Sequence, residues 1–70
     1  MQGEFSKRLR KMRMRRGISQ RVLSDRCGLS KNMIQRYECG DVEPTIGAVK
    51  EIAACLDVSS DYLLGLKENF

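Results

Sequence analysis

The sequence has no histidine and a single proline in 70 residues, and no apolar run approaches the roughly 18 to 20 residues that a membrane-spanning helix requires. Without histidine, and with neither a nucleophile set beside a base nor a glycine-rich phosphate loop, the chain does not read as an enzyme and needs no cofactor. Its cysteines, Cys27, Cys39 and Cys55, number three, an odd count, and have no histidine beside them. That pattern fits neither a zinc site nor a disulfide framework; it suits small buried hydrophobes in a reducing compartment. The N-terminus lacks the apolar core of a signal peptide, so a cytoplasmic location without a membrane partner is expected. One proline with six glycines argues against a disordered or linker-rich chain. No strand-turn-strand pattern, internal repeat or low-complexity tract is present.

What is there is enough for one domain. Residues 1–70 lie near the size at which a single core just offsets the entropy of ordering the chain, which leaves no room for a second, small-molecule-sensing domain. The net charge of +4 is unevenly spread: Met1 to Gly40 holds eleven Lys and Arg against three acids, and Asp41 to Phe70 two against six. A basic front and an acidic rear suit a polyanion on one side and another surface, such as a second copy of the chain, on the other.

The basic part contains the stretch around which the chain is organised, Ser19 to Gly40. Ser19 and Ser30 are each placed to cap a helix, and each is flanked by a staple pair, Ile18 with Leu23 and Leu29 with Ile34. Between the two helices Cys27, Gly28 and Leu29 make a tight turn, with Gly28 where the first helix would end in a left-handed conformation. Ser24 is small where the helices must cross. The second helix of this pair turns Met33, Ile34 and Tyr37 inward and leaves Lys31, Asn32, Gln35 and Arg36 outside. On an arbitrary helix such a face is merely solvated; after a tight turn in a basic setting, these residue types suit base edges and phosphates.

The remaining elements are helical as well. Phe5, Leu9 and Met12 recur at helical spacing over about residues 4–16, with Lys and Arg on the other faces; the apolar stripe is too narrow for a helix lying in a membrane surface. Arg13 sits at the edge of that stripe, where burial would require a partner. Helices are expected over about 20–26, 31–38, 46–56 and 60–65, the last two capped by Thr45 and Ser59. The fold class is therefore all-α, a compact five-helix domain containing a helix-turn-helix.

This pattern resembles the Cro and phage-repressor (XRE-type) helix-turn-helix regulators from about Leu9 to Leu64. The matching residues are Leu9, Met12, Arg13, Gly17-Ile18-Ser19-Gln20, Leu23, Gly28-Leu29-Ser30, Ile34, Tyr37-Glu38 and Gly40. They continue through Pro44-Thr45, Val49, Ile52-Ala53, Leu56, Val58-Ser59 and Asp61-Tyr62-Leu63-Leu64. The resemblance implies a sequence-specific regulator of transcription that binds double-stranded DNA, in the manner of a small dimeric repressor. Lys31, Asn32 and Arg36 match base-reading positions, with Gln35 supporting them. Gln20 matches a phosphate-contacting glutamine, with Ser19, Arg21 and Ser30 around the same backbone contacts, and Arg13 and Glu38 match an ion pair joining the first helix to the recognition helix.

Two departures stand out. Members often carry Asn where this chain has Cys39, and Lys or Arg in the following loop where it has Asp41 and Glu43, so a weaker phosphate grip is expected on that flank. The same acids favour an alternative role, an antitoxin or partner-binding module of this fold. In the tail, Tyr62, Leu66 and Phe70 either supply a homodimer surface or close the core.

Overall fold

The computed structural model describes residues 2–69. Among them the chain forms five helices: α1 (Gln2–Arg15), α2 (Gln20–Arg26), α3 (Met33–Cys39), α4 (Ile46–Leu56) and α5 (Ser60–Leu63). There is no strand among the described residues, as a short chain patterned only at helical spacing requires.

The helix starts follow local chemistry. Ser19, Thr45 and Ser59 lie in extended backbone, and their hydroxyls accept the N–H groups of Val22, Ala48 and Tyr62 at 3.1, 3.0 and 3.0 Å. Each thereby satisfies one of the donors that a helix start leaves open. The ends follow local chemistry too, through paired backbone hydrogen bonds that reach back across the last turn. At the end of α2 the Gly28 N–H donates to the Asp25 carbonyl at 3.2 Å and the Leu29 N–H to that of Ser24 at 2.9 Å. This closure needs a left-handed residue, supplied by Gly28 at φ 71°. At the end of α4 the same position is held by Asp57 at φ 58°, a conformation that the short polar side chain of Asp tolerates better than most.

Phe5, Leu9 and Met12 of α1 meet Leu23 and Cys27 from α2, Ile34 and Tyr37 from α3, the face Val49, Ile52, Ala53 and Leu56 of α4, and Tyr62 and Leu63 of α5. The Phe5 and Tyr37 rings pack edge to face with centroids 5.9 Å apart, an arrangement that sets a positive ring edge against a negative face. Helix α3 packs on both α1 and α2, so the segment expected to meet a ligand is backed on two sides. No buried side-chain nitrogen or oxygen among the described residues is left without a partner.

The structure departs from expectation at several points. Helix α3 begins at Met33 rather than Lys31, because Lys31 and Asn32 form a turn and Asn32 takes the cap position without a side-chain bond. Helix α1 ends at Arg15 and α5 at Leu63, both shorter at that end than the spacing predicts, as their closing turns begin there. Cys39 is exposed and Cys55 partly so, leaving only Cys27 as a buried thiol.

Candidate nucleic-acid interface

The α2–turn–α3 unit is locked by one hydroxyl. Ser24, fully buried, accepts the Ile34 N–H at 3.3 Å, so a residue of α2 caps α3 across the helix crossing. Ser30, expected to cap this helix through its side chain, contributes its backbone carbonyl to the Met33 N–H at 3.1 Å instead. Burial at the crossing explains the difference. The hydroxyl of Ser24 has no water to bond and finds the open donor of the neighbouring helix, whereas Ser30 is exposed.

Two tethers fix α3 against α1. Arg13 grips Glu38 with one edge of the guanidinium, Nε donating to Oε2 at 2.7 Å and Nη2 to Oε1 at 3.2 Å, while its Nη1 donates to the Ile18 carbonyl at 2.9 Å. The ion pair expected between these residues is thus present in the fold. The second tether is shorter in reach: Ser6 Oγ donates to the Tyr37 carbonyl at 2.6 Å.

Lys31, Asn32, Gln35 and Arg36 are all exposed, on the side of α3 and its leading turn opposite Ile34 and Tyr37. Gln35 and Arg36 lie side by side on α3, and Lys31 and Asn32 on the turn that leads into it. Two are already engaged by neighbours. Arg36 Nε donates to Asp41 Oδ2 at 3.1 Å, and Gln35 Nε2 reaches Cys39 Sγ at 3.6 Å. Gln35, Arg36, Cys39, Gly40 and Asp41 line an open groove; Lys31 and Asn32 are not part of its lining.

At the start of α2, Ser19 and Arg21 are exposed. Gln20 is half-buried, and its Nε2 donates to Glu38 Oε1 at 3.0 Å. One amide hydrogen is therefore committed to the Arg13–Glu38 pair.

Much of the cationic surface of α1 is structural. Arg16 closes the C-terminus of α4, donating from Nε to the Leu56 carbonyl at 2.8 Å and from Nη2 to that of Asp57 at 3.3 Å. A cation there also faces the negative end of the helix dipole. Arg8 holds the tail through its Nη1, which donates to the Tyr62 and Lys67 carbonyls at 2.9 and 2.7 Å, with its guanidinium carbon 4.6 Å from the Tyr62 ring centroid. Tyr62 is accordingly a core residue, 3% exposed, whereas Leu66 is 72% exposed. Phe70 lies outside the described residues.

The sequence reading missed the contacts made by Ser24, Arg8 and Arg16, and the pairing of Arg36 with Asp41. Only the last had a local signal, since a glycine between opposite charges five positions apart can fold them together. For metal binding, no group of three or more Cys, Asp or Glu side chains among the described residues is placed to hold an ion. Nor is any described helix long and apolar enough to cross a membrane.

The chain is 35% identical over 60 residues, 86% of its length, to the SPbeta prophage-derived HTH-type transcriptional regulator YonR of Bacillus subtilis (strain 168). It is also 35% identical over 65 residues, 93% of its length, to the HTH-type transcriptional regulator YqaE of the same organism. It spans 56% of each of those relatives. A third, the HTH-type transcriptional regulator y4dL of Sinorhizobium fredii, is 38% identical over 77% of this chain and 28% of its own. No solved structure gives a significant match. The family model described as helix-turn-helix matches residues 9–63, which include the capped, crossed and clamped unit just described, and the chain belongs to the XRE-type helix-turn-helix family.

Proposed function

We propose that the chain is a sequence-specific, double-stranded-DNA-binding regulator of transcription, acting as a small repressor in the cytoplasm. The observation that carries this reading is the exposed quartet Lys31, Asn32, Gln35 and Arg36 on the rim of a helix whose other side is fixed by Arg13–Glu38 and Ser24. In this reading α3 enters the major groove. Arg36 suits guanine and Asn32 suits adenine through bidentate bonds, and Lys31 suits guanine or a phosphate. Ser19, Gln20, Arg21 and Ser30 set the register on the backbone without reading sequence.

The domain measures 28 × 23 × 19 Å, less than the roughly 34 Å between successive half-sites on one face of DNA. A symmetric homodimer therefore completes the reading, with the exposed Leu66 as the contact we assign to it. Selection of bound sequences from a random duplex pool tests the proposal. A recurrent half-site, and its relaxation at one position by Arg36→Ala with a loss of about 1 to 3 kcal/mol, is the expected result. Equal retention of all sequences would defeat it. A partner-binding role is favoured by the exposed Asp41 and Glu43 close to the exposed Ile46. Its mark would be stoichiometric capture of a protein by a chain that selects no DNA.

A further inference from the structure

We infer that Asp41 is a positioning residue that sets base choice through Arg36, a conclusion that rests on the DNA-binding reading. The two residues are joined twice. The Asp41 N–H donates to the Arg36 carbonyl at 2.9 Å, and Arg36 Nε donates to Asp41 Oδ2 at 3.1 Å. Gly40, at φ 77°, turns the chain back so that both bonds form together. The same backbone closure that ends α3 thus brings the Asp41 carboxylate alongside the arginine.

The chemistry of the guanidinium gives this arrangement its meaning. Arginine presents a planar fork of donors on Nε, Nη1 and Nη2. With Nε occupied by Asp41, approach to a base through Nε and one Nη is closed. The end-on pair Nη1 and Nη2 stays open, and it matches the O6 and N7 acceptors of guanine. The bond also biases the side chain towards one orientation before DNA arrives, so less rotamer freedom is lost on contact.

Asp41 carries a cost that works in the same direction. A carboxylate beside the groove face repels every phosphate, whatever the sequence, so it lowers binding to all DNA. Only a site that offers guanine to the held fork offsets that loss. Base choice is sharpened while general affinity falls. The pair itself is an exposed one, with side-chain exposures of 48% for Arg36 and 61% for Asp41, and such pairs contribute little to folding. Changes at Asp41 therefore leave the domain folded.

The test compares the wild-type chain with Asp41→Asn and Asp41→Ala, using random-pool selection and titration of the selected duplex against its variants at the position that Arg36 reads. Both variants are expected to bind unrelated duplex more tightly, and to lose up to about fivefold of their preference for guanine at that position. In an Arg36→Ala background, adding Asp41→Ala should leave base preference unchanged, because Asp41 acts only through the arginine. Thermal melting of each variant verifies folding. Two results would overturn the inference: tighter general binding with guanine preference intact, which makes Asp41 a simple repulsive charge, or a change of preference persisting without Arg36, which makes it a direct reader. A wild-type chain that selects no sequence would remove the DNA-binding reading as well, and so is distinguishable from either.

Discussion

Arg13 and Glu38 form a two-pronged ion pair that is almost closed to solvent, with side-chain exposures of 13% and 4%. Removing one partner of such a pair strands the other charge. Glu38→Ala should lower unfolding stability by about 3 kcal/mol in urea titrations. The double replacement Arg13→Met with Glu38→Leu should recover most of it, since apolar side chains of similar size carry no charge to desolvate. A single variant within experimental error of wild type would show that water reaches the pair.

Ser24 and Ser30 exchange their expected weights. Ser24→Ala leaves the Ile34 N–H unsatisfied in the interior and should cost about 1 to 2 kcal/mol by thermal or chemical unfolding. Ser30→Ala should be nearly neutral, because its carbonyl makes the recorded bond and is retained.

Alkaline pH should weaken the fold through Cys27. Burial, reinforced by a hydrogen bond with Cys55 and by the nearby charges of Cys55 and Glu51, pushes its thiol from 9.0 up to about 12. The folded state thus holds the proton more tightly than the unfolded one. This contribution to stability is fully present below about pH 9 and is lost as pH rises towards 12. Unfolding measured across that window should show the decline, and Cys27→Ala should flatten it. At neutral pH a thiol reagent should label exposed Cys39 first and reach Cys27 only on unfolding.

On the DNA-binding reading, salt dependence separates the residues assigned to the backbone from Arg16, just past the end of α1. Arg21→Ala should reduce the slope of log affinity for duplex against log salt by about one phosphate contact. Arg16→Ala should leave that slope unchanged and instead lower thermal stability, by about 1 kcal/mol, through loss of the α4 closure. A flat salt dependence of the wild-type chain between about 50 and 200 mM would contradict the backbone contacts altogether.

Leu66→Glu should convert a dimer to a monomer in sedimentation experiments while the domain stays folded, because the side chain is exposed in the isolated domain; its melting temperature should no longer depend on protein concentration. An unchanged sedimentation coefficient for a dimeric wild type would place the contact elsewhere.

The helices and their caps are legible in the sequence because their causes are local: Ser19, Thr45 and Ser59 each bond a donor three residues ahead. So is the core, since Phe5, Leu9 and Met12, or Val49, Ile52, Ala53 and Leu56, declare one face each by spacing. The Arg13–Glu38 pair is legible through the family resemblance. What escapes a linear reading depends on which elements come together. Ser24 caps a helix ten positions on, and Arg16 closes one forty positions on; neither residue carries a local sign of its partner. Arg16 and Arg8 look like spare positive charge in the sequence, yet both are committed to backbone carbonyls. The exposed quartet is legible as a solvent-facing rim, but the engagement of Arg36 by Asp41 follows from the turn at Gly40, which brings them together.

The two tethers from α1 reach consecutive residues near the C-terminal end of α3, the Tyr37 carbonyl and the Glu38 carboxylate, while Ser24 of α2 holds its start at the Ile34 N–H. A helix held in this way presents one fixed profile. On the DNA-binding reading, the adjustment needed for a close fit then falls on the duplex. Sites whose base-pair steps bend or widen at low cost should be favoured even at positions that no side chain touches. Preference for a sequence would come partly from the stiffness of the DNA, measured against a protein surface that does not yield.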